Sequence, residues 1–142
     1  MRLELTRRGD YAVRAMLALA QREPGHVTSS REIADEMAIP VAFLPRVMAD
    51  LVFAGLVQST TGRTGGYVLA RPPVDITLLE VIEAVEGDSR RTSCVLRGGP
   101  CGRDGHCQVH DVFFAAQDAL LGRLRGVTLA KLAERDRPTF RG

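Results

Sequence analysis

Cys94, Cys101 and Cys107 are the three cysteines of this 142-residue chain, and His110 follows the last of them by three positions. Six residues separate the first pair and five the second, in a glycine-rich stretch. Grouped thiolates with an imidazole close by are soft donors. They suit an iron–sulfur cluster, [2Fe-2S] or [4Fe-4S], in which sulfur shares charge with iron. The spacing C-x6-C-x5-C-x2-H lacks the C-x2-C knuckle of most structural zinc sites. A zinc ion held by the three cysteines and the histidine is still compatible with it, and so is a metal-free thiol switch. His106, directly before Cys107, reads as a loop histidine whose ring points away from its chelating neighbour. An odd cysteine count argues against a disulfide framework.

The bulk composition narrows the classes. Apolar residues make up 45% and charged residues 25%, ordinary for a soluble globular chain. No apolar run is long enough to span a bilayer, and no cleavage pattern follows the first apolar segment, so the expectation is a cytoplasmic protein with no membrane partner. Net charge is only +2. Residues 1–72 carry nine arginines against seven acids, and residues 73–142 carry nine arginines and one lysine against ten acids. Arginine supplies eighteen of the nineteen basic residues. That suits bidentate phosphate contacts, although a GC-rich genome gives the same bias. A C-x-x-C pair, a nucleotide-binding loop and a base beside a nucleophile are all missing, which argues against an enzyme.

Several elements must position the donors. Tyr11 to Gln21 is a run of helix formers ended by Glu23, Pro24 and Gly25. Ser29 and Glu32 form a capping box for a second helix with Ile33, Ala34 and Met37 inside. After the break at 38–40, Phe43, Leu44, Val47, Met48, Leu51 and Val52 recur at helical spacing, and Gly55 stops them. This pair reads as a helix-turn-helix presenting Val41, Ala42, Pro45, Arg46 and Ala49, or as a helical hairpin packed in a core. Residues 56–59 and 67–70 read as strands of a hairpin whose glycine-rich tip carries Arg63 and Thr64. A hairpin after a helix pair is the wing of a winged helix, and a tip arginine suits a narrow minor groove or a phosphate. The candidate DNA contacts are therefore Ser30, Val41, Ala42, Arg46, Ala49, Arg63 and Thr64.

Thr77 and Glu80 cap a further helix that Gly87 ends. Beyond the cysteines, Val112, Phe113, Ala116, Ala119, Leu120 and Leu124 stripe a long helix from about 109 to 125. Such a helix pairs with a second copy or packs back on its own domain. The predicted fold is mainly α with a small β-hairpin. A winged helix-turn-helix covers 1–72 and a connecting helix 73–87. The cysteine loop covers 88–108, a dimerisation helix 109–127, and a short C-terminal helix with its tail 128–142.

These parts, in this order, resemble the small bacterial winged-helix transcriptional regulators that carry a sensory iron–sulfur cluster. The resemblance covers roughly residues 1–135. It rests on MRLELTRRGDYAVRAMLALA, SSREIADEMAIPVAFLPRVMADLVFAGLV, TGRTGGYVL, ITLLEVIEAVEGD and the three-cysteine loop. It implies a homodimer built on the long helix, one cluster per subunit, and binding to a partly palindromic stretch of double-stranded promoter DNA. It implies a regulator, by expectation a repressor, that answers iron, nitric oxide or redox state. Cys94, Cys101 and Cys107 fall on the family's three sulfur ligands. The cluster-biogenesis branch takes its fourth ligand where His110 stands. The nitric-oxide branch takes an Asp from the other subunit, at the position of Asp10. His110 is the preferred reading, for its local chelate geometry. Two departures stand out: the first cysteine gap is six residues where five is usual, and Pro45 replaces an acid that helps the cluster-biogenesis branch read bases.

Overall fold

The computed structural model describes residues 1–91, 95–96 and 107–134. Helix α1, Arg7–Ala20, is the central element. Its buried face is Ala12, Ala15, Met16, Ala18 and Leu19, small enough to let neighbouring helices approach closely. It begins four residues before the expected Tyr11, because Thr6 caps it by accepting the Gly9 N–H at 3.1 Å. Helix α2, Ser30–Met37, starts with the expected capping box and buries Ile33, Ala34 and Met37. Ala38 then takes a left-handed conformation, φ 54°, and turns the chain toward α3.

Entry into α3 differs from the expected single helix. Val41–Phe43 form a 3-10 turn and α3 runs Leu44–Phe53. Pro45 sits in the first turn of α3, where a missing N–H leaves no helical acceptor unsatisfied. The inner face is Leu44, Val47, Met48 and Leu51. Phe43 and Val52, which share the sequence periodicity, are instead exposed. Phe43 leans its ring on Tyr11 of α1, with centroids 5.8 Å apart.

Strands β1, Val57–Thr60, and β2, Gly66–Leu69, pair antiparallel with Ser59 opposite Tyr67. Both lie within one residue of their predicted limits. Helix α4, Leu78–Glu86, carries the expected Thr77–Glu80 capping box and ends at Gly87, φ 86°. Its Val81 and Val85 join the same apolar core as α1, α2 and α3. Helix α5, His110–Arg125, is followed by α6, Leu129–Ala133. Leu78 N–H donates to the Val127 carbonyl at 3.0 Å and Leu129 N–H to the Ile76 carbonyl at 2.9 Å. These two bonds tie the end of α5 to the start of α4, and Leu129 is wholly buried in the core.

Candidate nucleic-acid interface and metal centre

The outer surface of the 3-10 turn and α3 is small and open. Val41, Ala42, Pro45, Arg46 and Ala49 are all exposed, as the periodicity predicts. Ser30 is half-buried at the first position of α2. Arg31, exposed beside it, carries no sequence signal of its own, since one charge on a helix start makes no pattern. Among the described residues, Arg31, Arg46 and Arg63 form no salt bridge, whereas Arg8, Arg14, Arg22, Arg71 and Arg90 each hold an acid. Unpaired guanidinium groups keep their charge available to a phosphate without first breaking a contact.

Local chemistry fixes the wing against this helix pair. Thr28, fully buried, exchanges two backbone hydrogen bonds with Tyr67 of β2, 2.9 and 2.8 Å. A Cβ at Gly66 would overlap the Thr28 carbonyl, so only glycine permits the approach. Gly62 takes φ 104° at the tip, and Arg63 and Thr64 stand exposed there. The hairpin is therefore anchored to the residue that leads into α2.

Two candidate metal donors sit at the start of α5. The Cys107 carbonyl accepts the His110 N–H at 3.1 Å, so the thiol-bearing residue and the imidazole share one turn. Both residues are half-buried. The His110 ring stacks on Phe114, centroids 4.1 Å apart and 21° from parallel, which fixes the ring plane. Cys94, Cys101 and His106 lie outside the described residues. Among the described residues there is no group of three or more His, Cys, Asp or Glu placed to hold a metal. The donor chemistry itself, a cysteine sulfur and a fixed imidazole in one turn, fits an iron–sulfur cluster.

Asp10 lies in the first turn of α1, away from this turn in sequence. Both its oxygens are held by Arg14, Nε to Oδ1 at 2.7 Å and Nη2 to Oδ2 at 3.1 Å. Arg14 also donates to the Met37 carbonyl at the end of α2, 3.2 Å.

The approach to the cysteine segment is held at successive residues. Ser89 N–H donates to Glu83 Oε2 at 2.7 Å. Arg90 pairs with Asp118 at 2.6 Å. The Gln117 amide takes both sides of the Arg91 peptide, accepting its N–H at 2.6 Å and donating to its carbonyl at 3.3 Å. Gln117 and His110 are seven residues apart, two turns on one face of α5. The chain entering the cysteine segment and the donors leaving it thus meet the same face of one helix. Sequence reading missed Gln117, because a side chain that grips a distant peptide leaves no local motif.

Comparison with known proteins gives a consistent set. The family model described as Rrf2, iron-dependent transcriptional regulator, matches residues 5–135. The HTH-type transcriptional regulator IscR of Escherichia coli is 34% identical over 130 residues, 92% of this chain and 80% of that protein. Among solved structures, CymR, the global cysteine regulator of B. subtilis, superposes with TM-score 0.83 at 27% identity, over 96% of this chain and all of that one. IscR of T. potens superposes with TM-score 0.73 at 28% identity, over 96% of this chain and 94% of that one.

Proposed function

Because the chain belongs to the Rrf2 family of iron-dependent transcriptional regulators, we propose that it is a homodimeric DNA-binding regulator whose promoter affinity is set by an iron–sulfur cluster held through Cys94, Cys101, Cys107 and His110. The observation that carries this reading is the Cys107–His110 turn, with its imidazole fixed against Phe114. Asp10 is the second candidate for the fourth ligand. Its carboxylate is already engaged by Arg14, so ligation would compete with a bidentate pair, and this favours His110.

A bound cluster would supply a centre whose charge and integrity respond to iron supply, oxidants or nitric oxide. The protein's own residues do the rest. Cys107 and His110 anchor one limb of the loop at the start of α5, while Gln117 and Asp118 anchor the other two turns along it. Val41, Ala42, Arg46 and Ala49 enter a major groove with little bulk, and Arg63 and Thr64 reach backbone or minor groove from the wing. Ser30, with Arg31, contacts the flanking phosphates. Two such heads read a partly palindromic site, because DNA fixes the half-site spacing.

Purification without oxygen, with ferrous iron and sulfide present, tests the reading. A brown protein carrying iron and sulfide is expected, and Cys107→Ser should bleach it and change promoter affinity together. A chain that takes up no iron under these conditions sinks the proposal.

The likeness to a global cysteine regulator supports a second reading, a zinc-bound or metal-free thiol switch on the same DNA-binding frame. A colourless protein with one zinc per chain, or with affinity that follows thiol oxidation, would favour it.

A further inference from the structure

Helix α1 begins with a capping box that its own sequence does not contain. In a complete box the N-cap hydroxyl accepts the N–H three residues on, and an acid at that third residue accepts the N-cap N–H. Thr6 supplies the first half, accepting the Gly9 N–H at 3.1 Å. Gly9 has no side chain for the second. The missing acid comes from the last residue of α4, eighty positions away. Glu86 Oε2 accepts both the Thr6 N–H and the Thr6 hydroxyl, each at 2.7 Å. A Cβ on Gly9 would overlap that carboxylate, so the glycine is what admits it. The carboxylate also meets the positive end of the α1 dipole.

The same turn of α1 holds the DNA-reading helix. Arg8 pairs with Asp50, which follows Ala49 on α3. The first turn of α1 is thus gripped on one side by α3 and on the other by the end of α4. That end is where the cysteine segment departs: Gly87 turns the chain, and the next residues are pinned to Glu83, Asp118 and Gln117. The body of α1 is locked in the core, so its first turn is the part free to answer.

We propose that Glu86 is a positioning residue that completes the α1 cap from across the fold and thereby couples the exit of α4, where the cysteine segment begins, to the grip of Arg8 on the reading helix. A shift of that exit pulls on Thr6 or releases it, and either outcome changes how Arg8 holds Asp50. The coupling rests on the proposed function, in which the state of the cysteine segment sets DNA affinity.

The test compares protein reconstituted with ferrous iron and sulfide against iron-free protein, on a duplex selected by the wild type from a random-sequence pool. The quantity read is the ratio of the two affinities. Glu86→Ala should lower the melting temperature and compress the ratio by about fivefold or more, within the usual range of allosteric coupling. The double variant Glu86→Ala, Gly9→Glu restores a local T-x-x-E box but leaves α1 untied from α4. Its melting temperature should recover while its ratio stays compressed. Recovery of both would make Glu86 a mere cap and overturn the coupling. A ratio undiminished in Glu86→Ala alone overturns it too, and leaves the proposed function standing. A wild-type ratio of one overturns the proposed function and the coupling with it.

Discussion

Arg63 and Arg46 carry charge that nothing among the described residues neutralises, and both stand exposed on the elements a duplex would meet. Each phosphate contact releases counterions, so replacing Arg63 with Ala should weaken binding and lower the slope of log affinity against log salt by about 0.9. Visible absorbance should not change in that variant, and bleaching would mean that the wing reaches the metal centre rather than DNA. Glu80 makes a different kind of statement. Burial pushes its carboxyl up, but the Thr77 N–H and the Arg71 guanidinium outweigh that and hold it below the ordinary carboxylate range. A depressed folded value adds stability that is present above the ordinary range and vanishes as pH falls through the lowered one. Gln can still cap at this position, so Glu80→Gln isolates the charge. Its urea midpoint should lie below wild type at neutral pH, with the gap closing in acid. A gap of constant size across that range would show that the charge plays no part. Arg63 was legible in sequence because a hairpin tip is a local feature. The engagement of Asp10 by Arg14 was not, since an i, i+4 pair of this kind is usually only a surface contact.

Elements were legible to the extent that their signals are local. The Ser29–Glu32 and Thr77–Glu80 boxes each place both halves three residues apart, and both are present as read. Thr6 has only half a box in its neighbourhood, so sequence pattern alone places the start of α1 four residues late. The 3-10 turn at Val41–Phe43 was hidden for a related reason. Hydrophobic period alone continues through Phe43, whereas proline on either side, at 40 and 45, governs how the helix can begin. Ser29→Ala should cost about 1 kcal/mol of stability, the usual size for loss of an N-cap. Because α2 leads into α3 through left-handed Ala38 and a 3-10 turn, the same change should also loosen DNA binding. Denaturant unfolding and duplex titration of one variant would check both, and unaltered stability would show that α2 is held by its buried face alone.

At the scale of the whole molecule, α5 has two faces with different partners. His110, Phe114, Gln117, Leu121 and Leu124 recur at helical spacing and are half-buried or buried against the rest of the chain. The remaining side carries Val112 at 68% exposure, Phe113 at 37% and Leu120 at 38%, with Ala116 and Ala119 exposed between them. The stripe read from sequence is this outer side, except that Leu124 turns inward. Packing back on its own domain therefore uses one face and leaves a second apolar strip exposed, which we propose a second copy covers. Aspartate at Leu120 would place a charge in the middle of that strip while leaving the inner face untouched. The expected result is a folded monomer by sedimentation, with unchanged helical content. Its affinity for a two-half-site duplex should fall by about 10²–10⁴, because the second head no longer binds at the effective concentration that the dimer imposes. Binding to a single half-site should change little, since α3 and the wing are built on a core that this substitution does not touch. A variant that stays dimeric would move the interface elsewhere. A monomer that kept full affinity for the double site would mean that each chain reads DNA alone.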